Sequence, residues 1–255
     1  NYSSKYAQTI RNILNTKSKS KKYKDINDDE KTGKSTFIYC EFVKGSGIIL
    51  FCKLLEMFGY TQATGKEKSK ELRYAIVTNE TSTHREIKTI IKGFNQPENM
   101  NGEIIQIIIG SRVIGEGFSL YNIQEEYVFT PHWNYSETIQ ALARGYRLNS
   151  FKALIDAGIE PEFNIYQCVS LLKIKEKKDE EFDKEIKSID LEMYVISENK
   201  DIIIKSIERL IMEISFSCEL FYDRNHITDE SKNNKRECEY MDCDYICDAT
   251  SDDIK

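Results

Sequence analysis

The chain has 255 residues, 40% of them hydrophobic and 31% charged, with a formal net charge of −6. That size holds one large or two small domains, and that composition is globular rather than disordered. No apolar run approaches the roughly twenty residues of a membrane span. The acidic balance excludes a protein that grips nucleic acid by overall charge, which leaves a local patch for any such role.

The N-terminus, Asn1-Tyr2-Ser3-Ser4-Lys5, is polar and is not a secretory signal; the first residue is not Met, as in a piece of a longer chain. Seven cysteines without such a signal read as reduced intracellular thiols or metal ligands rather than a disulfide framework.

Tyr6, Ile10, Ile13 and Leu14 recur at helical spacing, so residues 2–15 predict a helix. A basic run at 17–24 (KSKSKKYK) and an acidic one at 25–30 read as a solvated connection. Gly33-Lys34-Ser35 is not a phosphate loop: the first Gly of that motif would fall at Asp28, and the triplet precedes a strand instead of following one. No other stretch offers such a loop, and no acidic box follows a strand.

Residues 36–40 (TFIYC) predict a buried strand. A helix follows over 48–58, with apolar positions 50, 51, 54, 55 and 58 on one face and Gly59 as its C-terminal stop. Residues 73–77 predict a strand, and 78–83 a loop rich in N-capping side chains. Residues 84–94 predict a helix with Ile87, Ile90, Ile91 and Phe94 on one side. His84, early in that helix, reads as a surface residue. A turn with Pro97 leads to an Ile-rich strand at 104–109.

The stretch that organises the chain comes next. Residues 110–120 read GSRVIGEGFSL, a loop bracketed by glycines whose lack of Cβ lets backbone approach a ligand. A strand is expected at 127–130, then an amphipathic segment from about Tyr135 that carries Gln140, Arg144 and Arg147. Arg144 and Arg147 are three apart, so on a helix they share a face, with Gln140 one turn earlier. Two guanidiniums on one face suit a triphosphate, because arginine stays charged and offers forked donors to phosphate oxygens.

Residues 164–170 (NIYQCVS) predict a further strand. Strands and helices alternate to about residue 172, which argues an α/β fold: a parallel sheet with helices on both faces. Residues 173–185, dense in Lys, Asp and Glu, read as an exposed linker or helix. A long amphipathic helix is expected over 197–219, its stripe of Ile203, Ile207, Leu210, Ile211, Ile214 and Phe216 packing on the sheet domain. The tail holds Cys238, Cys243 and Cys247 in C-x4-C-x3-C spacing, with Cys218 or His226 upstream as the candidate fourth ligand. Zn2+ binding and reduced surface thiols both remain open.

The ordered set in residues 104–147 resembles motifs V and VI of superfamily 2 helicases, and residues 37–60 resemble motif IV. Across 36–247 the wording is similar to helicase-like NTPases of large DNA viruses, relatives of the poxvirus early transcription factor small subunit and nucleoside triphosphate phosphohydrolase I. The resemblance implies a RecA-like C-terminal domain at 36–172, preceded by an N-terminal helix and linker at 1–35 and followed by a mainly helical, Cys-containing extension at 173–255. It implies the second lobe of an ATP-dependent motor: Arg144 and Arg147 catalytic as arginine fingers, Gln140, Gly117 and Glu116 at the nucleotide, and Ser111, Arg112 and Gly115 at the nucleic acid.

ATP and Mg2+ would be held by an N-terminal RecA-like lobe of the same protein. DNA or RNA would be the track, RNA polymerase or transcription factor subunits the partners, and virion and host cytoplasm the location, with no membrane. Ala143 stands where the common pattern has Gly, which tightens packing but leaves both guanidiniums in place. The alternative is a catalytically silent RecA-like module that docks to transcription machinery through its extension.

Overall fold

Runs of Ile, Val, Tyr and Phe form short strands: β1 (Thr36–Tyr39), β3 (Arg73–Val77), β4 (Ile107–Gly110) and β5 (Glu125–Val128), buried at every position. This is a computed structural model that describes residues 3–22, 34–112, 118–171 and 188–247. β2 (Thr61–Gln62) and β6 (Asn164–Gln167) form the edges of a six-stranded sheet in the order β2-β3-β4-β1-β5-β6. Every pairing is parallel, and Phe37 at the centre stands level with Ile108 on one side and Glu126 on the other.

A parallel sheet needs apolar cover on both faces, and strand alternation supplies two cores. Ile38, Tyr74, Ile107, Ile109 and Tyr127 pack with Tyr6, Ile10 and Ile13 of α1 (Ser4–Lys22) and with Phe51, Cys52 and Leu55 of α2 (Ile48–Met57). On the other face Phe37, Ala75, Ile108 and Val128 pack with Ile87, Ile90, Ile91 and Phe94 of α3 (His84–Phe94) and with Ala141 of α4 (Tyr135–Leu142). This is the RecA-like α/β architecture that the sequence predicts. In α2 the buried face is rotated from the expected one: Ile48 and Cys52 are buried, whereas Leu50 and Phe58 are exposed. Gly59 ends that helix at φ +87, a left-handed conformation that favours glycine. α3 opens on a capping box, Thr83 Oγ1 accepting from the Glu86 amide and the Glu86 carboxylate from the Thr83 amide.

Beyond α5 (Lys152–Asp156) and β6, the C-terminal region is helical: α6 (Ile189–Ile214) and α7 (Cys218–Asn225). The residues fall into two compact units, Asn1–Pro131 with Glu137–Glu192, and His132–Ser136 with Met193–Lys255. In the second unit polar side chains hold the centre. Arg209 lies over the Tyr245 ring at 4.7 Å and donates to the Asp244 carbonyl at 2.6 Å; Asp201 pairs with Arg236 at 2.7 Å and accepts from the Tyr240 hydroxyl at 3.1 Å.

Two expectations are corrected here. The buried side chains of α6 are Ser197, Asp201 and Arg209, while Ile203, Ile207, Ile211 and Ile214 of the expected packing stripe are exposed. The tail cysteines are neither zinc ligands nor thiols. Cys218 is bonded to Cys247, and Cys238 to Cys243; Cα separations of 5.5 and 5.1 Å put each pair within disulfide reach. All four sulfurs are thereby used, His226 stacks on Tyr222, and no cluster among the described residues could hold a metal ion. Cys40, Cys52 and Cys168 are free, and burial pushes the Cys52 thiol up to about 12.

Candidate functional site

β4 delivers Ser111 and Arg112 at the C-terminal edge of the sheet, where open α/β sheets bind ligands. Ser111 is buried, its amide donating to the Val77 carbonyl at 3.4 Å. Arg112 is exposed and reaches two carboxylates, Glu41 at 3.4 Å and Glu137 at 3.3 Å. Glu41 follows β1, and Glu137 lies in the first turn of α4, where a negative charge suits the helix dipole. Tyr39 belongs to the same cluster: burial, then the Glu41 charge, push its phenol up to about 12. Gly115, Glu116 and Gly117 lie outside the described residues.

The two arginines sit elsewhere. α4 ends at Leu142, so the expected shared helical face is not formed. The backbone tightens instead: the Arg144 amide donates to the Ala141 carbonyl at 3.1 Å and the Gly145 amide to the Leu142 carbonyl at 3.2 Å. The reason is tertiary. The approach to β5 captures this turn, the Leu120 amide donating to the Arg144 carbonyl at 3.0 Å and the Asn122 amide to the Ser150 carbonyl at 2.8 Å. Gly145 is buried against Glu126, and a Cβ at that position would come within 3.1 Å of a Glu126 carboxylate oxygen.

This turn presents the guanidiniums differently. Arg147 is exposed; its Nη1 donates to Ser119 Oγ at 2.8 Å and its Nε to the Ala143 carbonyl at 3.2 Å. Arg144 is half-buried. Burial, and after it the Arg147 charge, hold its guanidinium below the ordinary arginine range, yet arginine remains charged at neutral pH. Gln140 is exposed on α4, one turn before Arg144. The structure thus gathers Gln140, Arg144, Arg147 and Ser119 around the end of α4 and leaves Arg112 at its first turn. Two adjacent cations, one pre-aimed by a hydroxyl, can receive a polyanionic group.

Three contributors were not legible in sequence. Asn95 closes α3 and ties down the segment before β5, donating to the Ser119 carbonyl at 2.8 Å and accepting from the Tyr121 amide at 2.9 Å. Glu41 and Glu137 hold Arg112, and only the general rule that an exposed arginine seeks a carboxylate pointed to them.

The span from α1 to this turn has a family counterpart: residues 18–149 match the helicase conserved C-terminal domain. The chain belongs to that family. Among relatives of this helicase domain, protein 087L of Invertebrate iridescent virus 3, which bears a helicase name, is 46% identical over 240 residues, 92% of this chain and 24% of its own length. Protein 009L of Frog virus 3 (isolate Goorha), also named a helicase, is 36% identical over 85% of this chain and 22% of its length. A protein of Heliothis virescens ascovirus 3e named an ATP-dependent RNA helicase is 31% identical over 76% of this chain and 20% of its length. The chain therefore spans less than a quarter of each of these relatives. It is a helicase-type C-terminal lobe of the kind found in large DNA viruses, and both the Arg112 cluster and the arginine turn fall inside the matched span.

Proposed function

We propose that this chain is the second motor lobe of a viral ATP-dependent helicase or translocase that acts on DNA or RNA in transcription. Arg144 and Arg147 act as arginine fingers on ATP bound with Mg2+ by an N-terminal RecA-like lobe of the longer protein. Gln140, with Glu116 and Gly117, contacts the nucleotide; Ser111, Arg112 and Gly115 contact the nucleic-acid backbone. The motor lobe proper is residues 36–172, and 173–255 is an extension.

The observation that carries this reading is the arginine turn. The Leu120 amide holds its backbone at the Arg144 carbonyl and Ser119 Oγ holds the Arg147 guanidinium, so motion of the segment that follows motif V moves the fingers. Phosphoryl transfer is catalysed mainly by positioned charge, and a finger typically contributes about 10³-fold or more. In the full-length protein, Arg144→Ala and Arg147→Ala should each lower ATP turnover on that scale with ATP affinity little changed, since a finger acts on charge that develops in the transition state. Normal turnover in both would overturn the reading.

One observation favours a second reading, a silent module that docks to RNA polymerase or transcription factor subunits: the extension exposes Phe216 fully and Leu220 at 79%. Unchanged turnover in the arginine variants, with docking lost on Leu220→Asp, would select it.

A further inference from the structure

We infer that α3 carries an outward-facing stripe, Arg85, Lys88 and Lys92, that binds the phosphate backbone of nucleic acid alongside motif V. The inference rests on the motor-lobe reading and adds to it a surface outside the motifs.

The three residues are three and four apart and share one helix face. All are exposed. Seven residues of helix set them along about 10 Å, a length over which a duplex presents several phosphates at one charge per roughly 1.7 Å of axis. None of the three takes part in an ion pair among the described residues. Each charge is therefore available to a polyanion.

The surroundings reinforce the stripe. The loop at residues 64–70 lies directly on α3: a Cβ on Gly65 would collide with the backbone of Thr89 and Ile90, and a Cβ on Gly93 with the backbone of Gly65. That loop adds Lys66, Lys68 and Lys70, so residues 64–70 and 84–94 hold six cations and two carboxylates in a chain that is acidic overall. Both carboxylates are committed to local backbone. Glu67 accepts from the amides of Gly65 at 2.9 Å and Lys66 at 3.0 Å, and Glu86 closes the capping box of α3. Among the described residues, Lys70 alone of the six has a carboxylate partner, Glu103 at 3.3 Å.

Placement favours nucleic acid over an acidic protein. α3 is fastened at both ends to the segment that follows motif V: the His84 ring lies 5.9 Å from that of Phe118, and Asn95 holds Ser119 and Tyr121. A strand that touches motif V would thus meet the stripe without leaving the surface of one unit.

The test is a salt titration of the 255-residue chain with a labelled duplex of about 20 base pairs, read by anisotropy beside the R85A/K88A/K92A variant. Alanine keeps the exposed helix intact, and equal melting temperatures check that. At low salt the variant should bind at least about tenfold more weakly, with a log–log salt slope shallower by roughly two to three, at about 0.9 per phosphate contact. R85K/K88R/K92R should bind like wild type, because charge and not fork geometry is required. Equal slopes for wild type and the alanine variant would overturn the inference, as would wild-type chain that fails to bind at low salt, or polyglutamate competing as well as DNA at equal charge. The motor-lobe reading is judged separately, by ATP turnover of the arginine variants without nucleic acid.

Discussion

Replacing Glu126 by Gln should stabilise the domain, and by more at pH 8 than at pH 5. Glu126 is fully buried in β5 on the α3–α4 side of the sheet, level with Phe37 and Ile165, and neither carboxylate oxygen has a hydrogen-bond partner among the described residues. Burial holds its carboxyl well above the usual range, so the native chain keeps a proton that the unfolded chain releases near about 4.3. Stability from this group is whole below the unfolded value, falls as pH rises above it, and is spent once pH has passed the native value. The slope for one proton is about 1.4 kcal/mol per pH unit. Gln keeps the shape and cannot ionise, so this slope vanishes in the variant. At about 2–4 °C per kcal/mol for a domain of this size, the gap in melting temperature between variant and wild type should widen by several degrees from pH 5 to pH 8. Glu56, Glu67, Glu86 and Glu162, whose carboxyls are lowered by hydrogen bonds, lose stability at acid pH in both proteins and cancel in the difference. Parallel melting curves for the two proteins across this range would refute the reasoning.

Other consequences can be checked on the same material. Cys218→Ser opens a loop with a sequence separation of 29; chain entropy puts the loss at about 3–4 kcal/mol, so the second unit should melt earlier by calorimetry and wild type should do the same under reductant. Glu41→Gln with Glu137→Gln frees Arg112 and should tighten nucleic-acid binding several-fold at low salt, whereas Arg112→Ala should weaken it; exposed pairs of this kind contribute no more than about 1 kcal/mol, so a larger change in melting temperature would contradict the assignment. The 255-residue chain alone should not turn over ATP, because it offers no phosphate loop, and turnover abolished by a point change within it would contradict this.

Much of the sheet was legible because buried parallel strands read as apolar runs: TFIYC and the Ile-rich stretch became β1 and β4, and the 84–94 helix has the predicted bounds. Glycine and proline marked the turns between them. The rest depended on partners distant in sequence. The amphipathic period continued through Arg147, yet the helix stops at Leu142 because residues 120 and 122 capture the turn. Glu125-Glu126 reads as a polar pair, and only the neighbouring strands reveal two acids buried in β5. The tail cysteines read as zinc ligands or reduced thiols because no secretory signal pointed to disulfides; Arg209 and Tyr245, far apart in sequence, build the centre near which the bonded sulfurs meet.

Steady-state ATP turnover of full-length Arg147→Lys, measured beside its melting temperature, tests the central claim most directly. Lysine keeps the charge but loses the planar fork that reaches Ser119 and, in the motor reading, the phosphate. The account predicts turnover lowered nearly as far as in Arg147→Ala, roughly 10³-fold, with a melting temperature within about 2 °C of wild type, as for surface substitutions. Near-normal turnover, or a loss that only follows the fraction unfolded, would contradict the assignment of this turn to ATP hydrolysis.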